Sequence, residues 1–358
     1  MERLPPATER EEETEFVPGL SFNFPGFPEY GREIMVFPTP ENGAIMKMSL
    51  RLVRRGCAAL MVVVGLVCLA LPPQARAGRL KVLTTIRPLY AFTVQVAGEA
   101  ATVENLLPPG VGPHDYALRP SDAVRLHEAD VLVINGLGLE TWLEGAVDAV
   151  GKPGLIIIDT SVGIKPLPLR VLSAHQENRA EAGRHAEGRW DPHIWLDPVR
   201  AIHQVENIRD GLVRADPASA AIYASNAKEA IGRLEALHGD MAVATARFRQ
   251  RELMTFHTAF QYFARRYGLS VVAVVEDAPG KEPTPKFLAR LYKLIERHGL
   301  RVIYTEPQYR SRVAEVLARD MGLEVAELDP GVTGPLGPEA YEAVMRQNLK
   351  VLSRFQSP

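Results

Sequence analysis

KVLTTIRPLYAFTVQVAGEAATVENLLPPG (81–110) opens the region whose reading decides the fold: a short β-branched run, KVLTT (81–85), then a helix-length stretch, then a second run, TVENLL (102–107). Two more runs of this kind follow, VLVIN (131–135) and LIIID (155–159), again with helix-like sequence between them. Strands that alternate with helices build a parallel sheet covered by helices, so residues 78–198 are expected to form one α/β lobe. The alternation returns in ELMTFH (252–257), LSVVAVVE (269–276), RVIYTE (301–306) and LEVAELD (323–329), which predicts a second lobe over 249–358. Residues 199–248 between them are predominantly helical. There Asp216-Pro217 is a helix start signal, and 218–248 holds no proline and only Gly232 and Gly239. That stretch reads as one long helix joining the lobes or as two ordinary helices and a loop. The fold class expected is α/β, two parallel-sheet lobes bridged by a long helix, with a site in the interlobe cleft.

Composition narrows the classes of function. The 358 residues carry 41 Lys and Arg against 43 Asp and Glu, and 46% are apolar. A disordered, collagen-like or polytopic membrane chain is excluded. Near-neutral charge without a basic stripe makes nucleic acid an unexpected partner.

The two cysteines, Cys57 and Cys68, both lie in one apolar run, CAALMVVVGLVCLAL (57–71). Lys47, Arg51, Arg54 and Arg55 precede that run, and PPQARA (72–77) follows it. This is the order of a secretory signal peptide, and the run falls short of the roughly 20 residues a spanning helix needs. Residues 46–77 are therefore expected to be a leader cleaved after Ala77. The chain from Gly78 would be periplasmic and monomeric, without a membrane span or a cysteine. No disulfide framework or thiolate metal site can then form. Lipid attachment at Cys68 is the other reading, although Val67 precedes it where a small residue belongs and Cys68 lies inside the apolar run. Residues 1–45, with an acidic run at 9–15, make no sense before a positively charged leader. They are not expected to belong to the native protein, whose translation would start at Met46 or Met48.

The chain has nine histidines. His127, His203, His238 and His298 fall in helix patterns among charged neighbours and read as solvated helix residues. Three others fall at the edge where open parallel sheets bind ligands, beyond the carboxyl ends of strands. His114, in LLPPGVGPHDYALRPSD (106–122), follows a strand and a Gly/Pro-rich turn. His193, in RWDPHIWLDP (189–198), ends a long polar segment, and His257, in LMTFHTAF (253–260), closes a strand. Asp329, in VAELDPGVTG (325–334), ends the last strand. Taken singly, each histidine reads as readily as a cap or a packed polar residue, and Asp329 as an Asx turn. Together they would form a closed site of four ligands, two from each lobe. Three imidazoles and one carboxylate suit zinc, and an oxygen-richer set would suit manganese.

In order and separation, PHDYALRPSD (113–122), DPHIWLDP (191–198), FHTAFQYFARRYGL (256–269), YTEPQ (304–308) and ELDP (327–330) resemble a known family. It is the metal-binding family of periplasmic solute-binding proteins of zinc and manganese ABC importers, cluster A-I, in its zinc-uptake branch. The resemblance runs from about 81 to 355. It implies two α/β lobes bridged by a rigid helix, with metal between them, and a partnership with an ABC permease and its ATPase. Motif by motif, the family's ligands fall on His114, His193, His257 and Asp329. A histidine at 257 resembles the zinc branch, and a carboxylate there the manganese branch. Zinc members often carry a His-rich acidic loop before the second ligand. Here that loop holds only His175 and His185 with Glu177, Glu181 and Glu187.

The function expected is capture of Zn2+ in the periplasm and delivery to the permease. The alternatives are a Mn2+ or Fe2+ binding protein of the same importer class, a surface adhesin on this scaffold, and a secreted zinc hydrolase using Asp329 as a general base. Against an enzyme, four protein ligands close the metal's shell, and HExxH, GxSxG and a Cys/His pair are absent from the sequence. Imidazoles ligate when neutral, so affinity is expected to fall as pH drops through roughly 6.5. Carboxylates that fix the imidazole tautomers must exist. Asp115, Asp197 and Glu306 are near in motif, with no assignment among them.

Overall fold

The computed structural model describes residues 36–37, 46–47, 78–114, 116–143, 145–169, 190–276 and 284–357. Most of the expected leader, the segment ahead of it, His175, His185 and Asp115 lie outside the described residues. The chain divides into two compact units, Met1–Ala75 and Arg76–Pro358. In the first, β1 (Val36–Phe37) pairs antiparallel with β2 (Met46–Lys47).

The second unit holds both sheets. β3 (Leu80–Thr84), β4 (Ala101–Asn105), β5 (Val131–Ile134) and β6 (Ile156–Asp159) form a parallel sheet of order β4-β3-β5-β6. Its helices are α1 (Arg87–Ala97), α2 (Pro120–Glu128) and α3 (Ala146–Val150). Two helices follow, α4 (Pro198–Ala215) and α5 (Ala220–Thr245). β7 (Glu252–Thr255), β8 (Ser270–Val274), β9 (Val302–Thr305) and β10 (Glu324–Glu327) form the other parallel sheet, of order β10-β9-β7-β8. Its helices are α6 (Gln261–Arg266), α7 (Pro285–His298), α8 (Arg312–Met321) and α9 (Ala340–Gln356).

Counted within its own lobe, each sheet has the spatial order 2-1-3-4. The order reverses between the first and third strands, so each lobe offers a crevice at their carboxyl ends. Burial follows from position in the sheet. Val131, Leu132 and Val133 on central β5 are fully buried, whereas the charged alternation EVAE of edge strand β10 is largely exposed, as an edge requires.

The structure has the long helix signalled at Asp216-Pro217, α5 of 26 residues, with α4 as a separate helix before it. α4 starts at Pro198 because Asp197 caps it, accepting from the Val199 N–H at 3.0 Å. It ends at Asp216-Pro217, where one 3-10 turn intervenes before α5. Tyr223, Ala227, Ala230, Leu234, Leu237, Met241 and Thr245 make the buried stripe of α5 at helical spacing. The helix packs on α1 and α4 and on α9 of the second lobe, and so joins the two. Gly211 of α4 lets that helix lie on β6, since a Cβ there would stand 2.2 Å from the Ile158 Cδ1.

One apolar core runs from the first sheet through α1, α4 and α5 to α9 and one face of the second sheet. The other face of that sheet is covered by α7 and α8 through Met254, Phe287, Leu291, Ile303 and Leu317. Asp197, fully buried, also takes a two-pronged ion pair from Arg266 of α6 at 2.8 Å for each bond. This capping residue thus ties the helical region to the second lobe. Among the described residues, no helix is long and apolar enough to cross a membrane.

Candidate metal centre

His257 lies two residues beyond β7, in extended backbone, and its carbonyl accepts from the Thr255 hydroxyl at 2.7 Å. The ring is buried, and its Nδ1 bonds the carboxylate of Glu306. Glu306 is the first residue after β9 and is itself buried, with its other oxygen accepting from Gln308 Nε2 at 2.7 Å. His257 and Glu306 thus stand on the two strands that flank the lobe's switch point.

His193 precedes the 3-10 turn Ile194–Leu196 and is also buried. Two residues earlier, Asp191 folds its carboxylate back over Pro192. Its Oδ1 accepts from the His193 N–H at 3.0 Å and lies 2.8 Å from the His193 Nδ1. The segment is pinned from both lobes: Asn135 donates to the Pro192 carbonyl at 2.9 Å, and the Tyr262 hydroxyl donates to the Asp191 carbonyl at 2.7 Å. His114 is the exposed member. Its neighbour Pro113 is held by the Trp142 indole N–H, which donates to the Pro113 carbonyl at 2.9 Å.

These three rings converge nitrogen first. His114 Nε2 and His193 Nε2 are 3.1 Å apart, His193 Nε2 and His257 Nε2 are 3.3 Å apart, and the ligand atoms of all three lie within 4.8 Å of one another. The rings cross at 59°, 85° and 65° and do not stack. A tetrahedral ion bonded at about 2.05 Å keeps its ligand atoms ~3.3 Å apart, which is the spacing here.

Protonation reinforces the geometry. Asp191 Oδ1 already accepts a backbone N–H, and Asp191 Oδ2 has no hydrogen-bond partner among the described residues. Oδ1 therefore accepts from the His193 Nδ1–H whether or not a proton sits on Oδ2, and the His193 Nε2 is left with a bare lone pair. Glu306 imposes the same tautomer on His257. In these tautomers the two Nε2 atoms, 3.3 Å apart, offer a cation a shared pair of donors.

Loss of hydration holds the His193 imidazole well below its ordinary pKa, with a smaller push from His257. His114 is driven down to about 2, first by desolvation and then by His193 and His257, although the residue keeps an exposed face. Burial also raises Asp191 to about 7. In this pocket His193 and His114 are held neutral below the range in which a solvated histidine titrates.

Asp329 does not join the group whose ligand atoms lie within 4.8 Å. Its Oδ1 accepts from the N–H groups of Gly331 and Val332 at 2.7 and 2.8 Å. Its Oδ2 accepts from the Thr333 N–H at 3.2 Å and from the Thr333 hydroxyl. The carboxylate closes its own turn, the Asx geometry that Asp-Pro-Gly allows.

Of the three carboxylates near in motif, Glu306 reaches an imidazole and Asp197 does not. Asp191 went unrecognised in the sequence, although Asp-Pro-His offered the signal, since an Asp often bonds the N–H two residues on. His127 and His203 are exposed as expected. His238 and His298 are half-buried instead, each with a partner: the Tyr267 hydroxyl at 3.1 Å and Glu252 at 2.9 Å.

Residues 82–355 match the family described as ZnuA, zinc-uptake complex component A, periplasmic. The chain belongs to the zinc-uptake complex component A family. Within it, the chain is similar to the zinc-binding protein AdcA of Streptococcus pyogenes, 33% identical over 287 residues. That similarity covers 77% of this chain and 56% of AdcA, so the chain spans about half the length of these streptococcal relatives. The high-affinity zinc uptake system protein ZnuA of Bacillus subtilis is 31% identical over 290 residues, 78% of this chain and 88% of the relative. Among solved structures, Zn(II)-bound AdcA from Streptococcus pneumoniae superposes with a TM-score of 0.65 at 31% identity, covering 78% of this chain and 58% of that one. The two-lobed architecture of this zinc-uptake family is thus the one seen here.

Proposed function

We propose that this protein captures Zn2+ outside the cytoplasm and carries it to an ABC importer, a permease with its ATPase, without transforming it. The observation that carries this reading is the convergence of three imidazole nitrogens at 3.1 and 3.3 Å, with two of the rings locked by buried carboxylates into the tautomer that faces a cation. His114, His193 and His257 would hold the ion, with Asp329 as the fourth ligand once one of its oxygens leaves the turn. His114 and His193 belong to the N-terminal lobe, 78–198, and His257 and Asp329 to the C-terminal lobe, 249–358. The cargo would therefore bind the lobes together, and loss of it would release one from the other. The exposed ring of His114 gives the ion its way in and out. Three nitrogen donors favour zinc over manganese, which prefers oxygen. The zinc named in the relatives AdcA and ZnuA points the same way. With four protein ligands, no position is left for a substrate, which fits a carrier better than a hydrolase.

The test is the metal content and zinc stoichiometry of the purified chain, by elemental analysis and competitive titration, beside His257→Ala. One zinc per chain, at least 100-fold weaker in the variant, is the expected result, since the change also leaves Glu306 buried without its imidazole. No bound zinc, or equal binding by the variant, would overturn the reading. A manganese affinity above that for zinc would move the chain to the other branch.

A further inference from the structure

The turn that carries Asp329 belongs to the second lobe but is seated on the first. Gly110 N–H donates to the Val332 carbonyl at 3.0 Å, and the Arg87 guanidinium bonds the Gly334 carbonyl. Gly331, at φ +92°, lies so close to α1 that a Cβ there would stand 2.9 Å from the Pro88 Cγ. The most direct tie to the histidines is Trp195. Its ring lies 5.2 Å from that of His193, and its indole N–H donates to the Pro330 carbonyl at 2.7 Å. The residue is buried, and its backbone carbonyl accepts from the Tyr341 hydroxyl of α9 at 2.7 Å, so both its main chain and its indole are held.

We propose that Trp195 is a positioning residue of the metal site, holding the Asp329 turn beside the histidine group so that the carboxylate can exchange the Thr333 hydroxyl for the ion. This rests on Asp329 being the fourth ligand. An indole has one donor and no acceptor, and a planar ring packed against His193 leaves that donor a single direction. The Pro330 carbonyl, next to Asp329 in the chain, is the group it fixes. Backbone N–H bonds already hold Asp329 Oδ1, and Asp329 Oδ2 shares its partners with a hydroxyl that can rotate away. To ligate, the carboxylate must release the Thr333 hydroxyl and approach the histidines. The turn must stay where Trp195 keeps it.

Zinc affinity is to be measured by competitive titration in the full chain, in Trp195→Phe, in Asp329→Ala and in the double variant. Trp195 replaced by 3-benzothienylalanine runs in parallel. That isostere keeps the ring volume and loses only the N–H, so it carries the same comparison if the phenylalanine variant fails to fold. Removing the donor is expected to weaken zinc binding about tenfold when Asp329 is present, and less than twofold when it is absent. The visible spectrum of bound Co2+ should shift towards that of Asp329→Ala. If Asp329→Ala alone leaves zinc affinity unchanged, Asp329 is not a ligand and the proposal falls with that reading. A weakened Asp329→Ala, with Trp195 variants that lose the same factor in both backgrounds or lose nothing, would overturn the role of Trp195 alone.

Discussion

Zinc affinity should depend on pH through Asp191 and not through His193 or His114. Burial holds the Asp191 carboxyl at about 7 before the ion arrives, and keeps His193 and His114 neutral far below their ordinary range. A bound dication stabilises the ionised carboxylate across the His193 ring, so below pH 7 each zinc that binds displaces one proton. Affinity then changes by one decade per pH unit below 7 and is flat above it. Between pH 8 and pH 5.5 the fall is about 30-fold. Three solvated imidazoles titrating at 6.5 would each contribute about tenfold over the same range, or ~1,000-fold together. The assay is competitive titration at half-unit pH steps, with calorimetry at pH 6 in two buffers of different ionisation heat to count protons released. One proton and a fall near 30-fold are expected. Asp191→Asn should flatten the profile and weaken binding at pH 8 by 10- to 100-fold, on the order of a lost outer-shell partner. A fall near 1,000-fold, a count near three protons, or an unchanged slope in Asp191→Asn would refute the argument. The stability of the metal-free protein has its own sign. A carboxyl whose folded pKa is raised stabilises the fold at low pH and loses that contribution as pH rises through 7, so metal-free Asp191→Asn should melt higher than the parent at pH 8.

Two further outcomes follow from the geometry. His257→Glu replaces a nitrogen donor with oxygen and sets it against Glu306, so zinc affinity should fall while the manganese-to-zinc affinity ratio rises. An unchanged ratio in competition titrations would mean that residue 257 is not a ligand. Gly211→Ala drives a methyl into Ile158 and should cost about 1–3 kcal/mol in denaturant unfolding, with zinc stoichiometry unchanged. A fully stable variant would mean that α4 and β6 have room to part.

Much of the fold was legible because its signals are local. The eight runs that alternate with helical sequence each form a strand, with ends displaced by one or two residues, and in all but 155–159 the last residues leave the ladder to begin loops. Thr85, Asn135, His257 and Glu306 are such residues. The start of the long helix was legible at Asp216-Pro217, yet its continuity was not, since Gly232 and Gly239 inside it could equally have marked a loop.

The sequence by itself determined that three histidines and one aspartate stand beyond strand ends, because strand and turn propensities are written in neighbouring residues. It also carried the family, whose motifs are contiguous. Only the tertiary structure decided which side chains meet. His114 is 79 residues from His193, and His193 is 64 from His257. Their approach depends on α5 joining two lobes and on Asn135 and Tyr262 pinning one segment between them, which no local pattern encodes. The protonation of the site was likewise invisible in the chain. A histidine among charged neighbours and a histidine facing two others carry the same letter, and burial, with the neighbouring imidazoles, holds the second below its ordinary range.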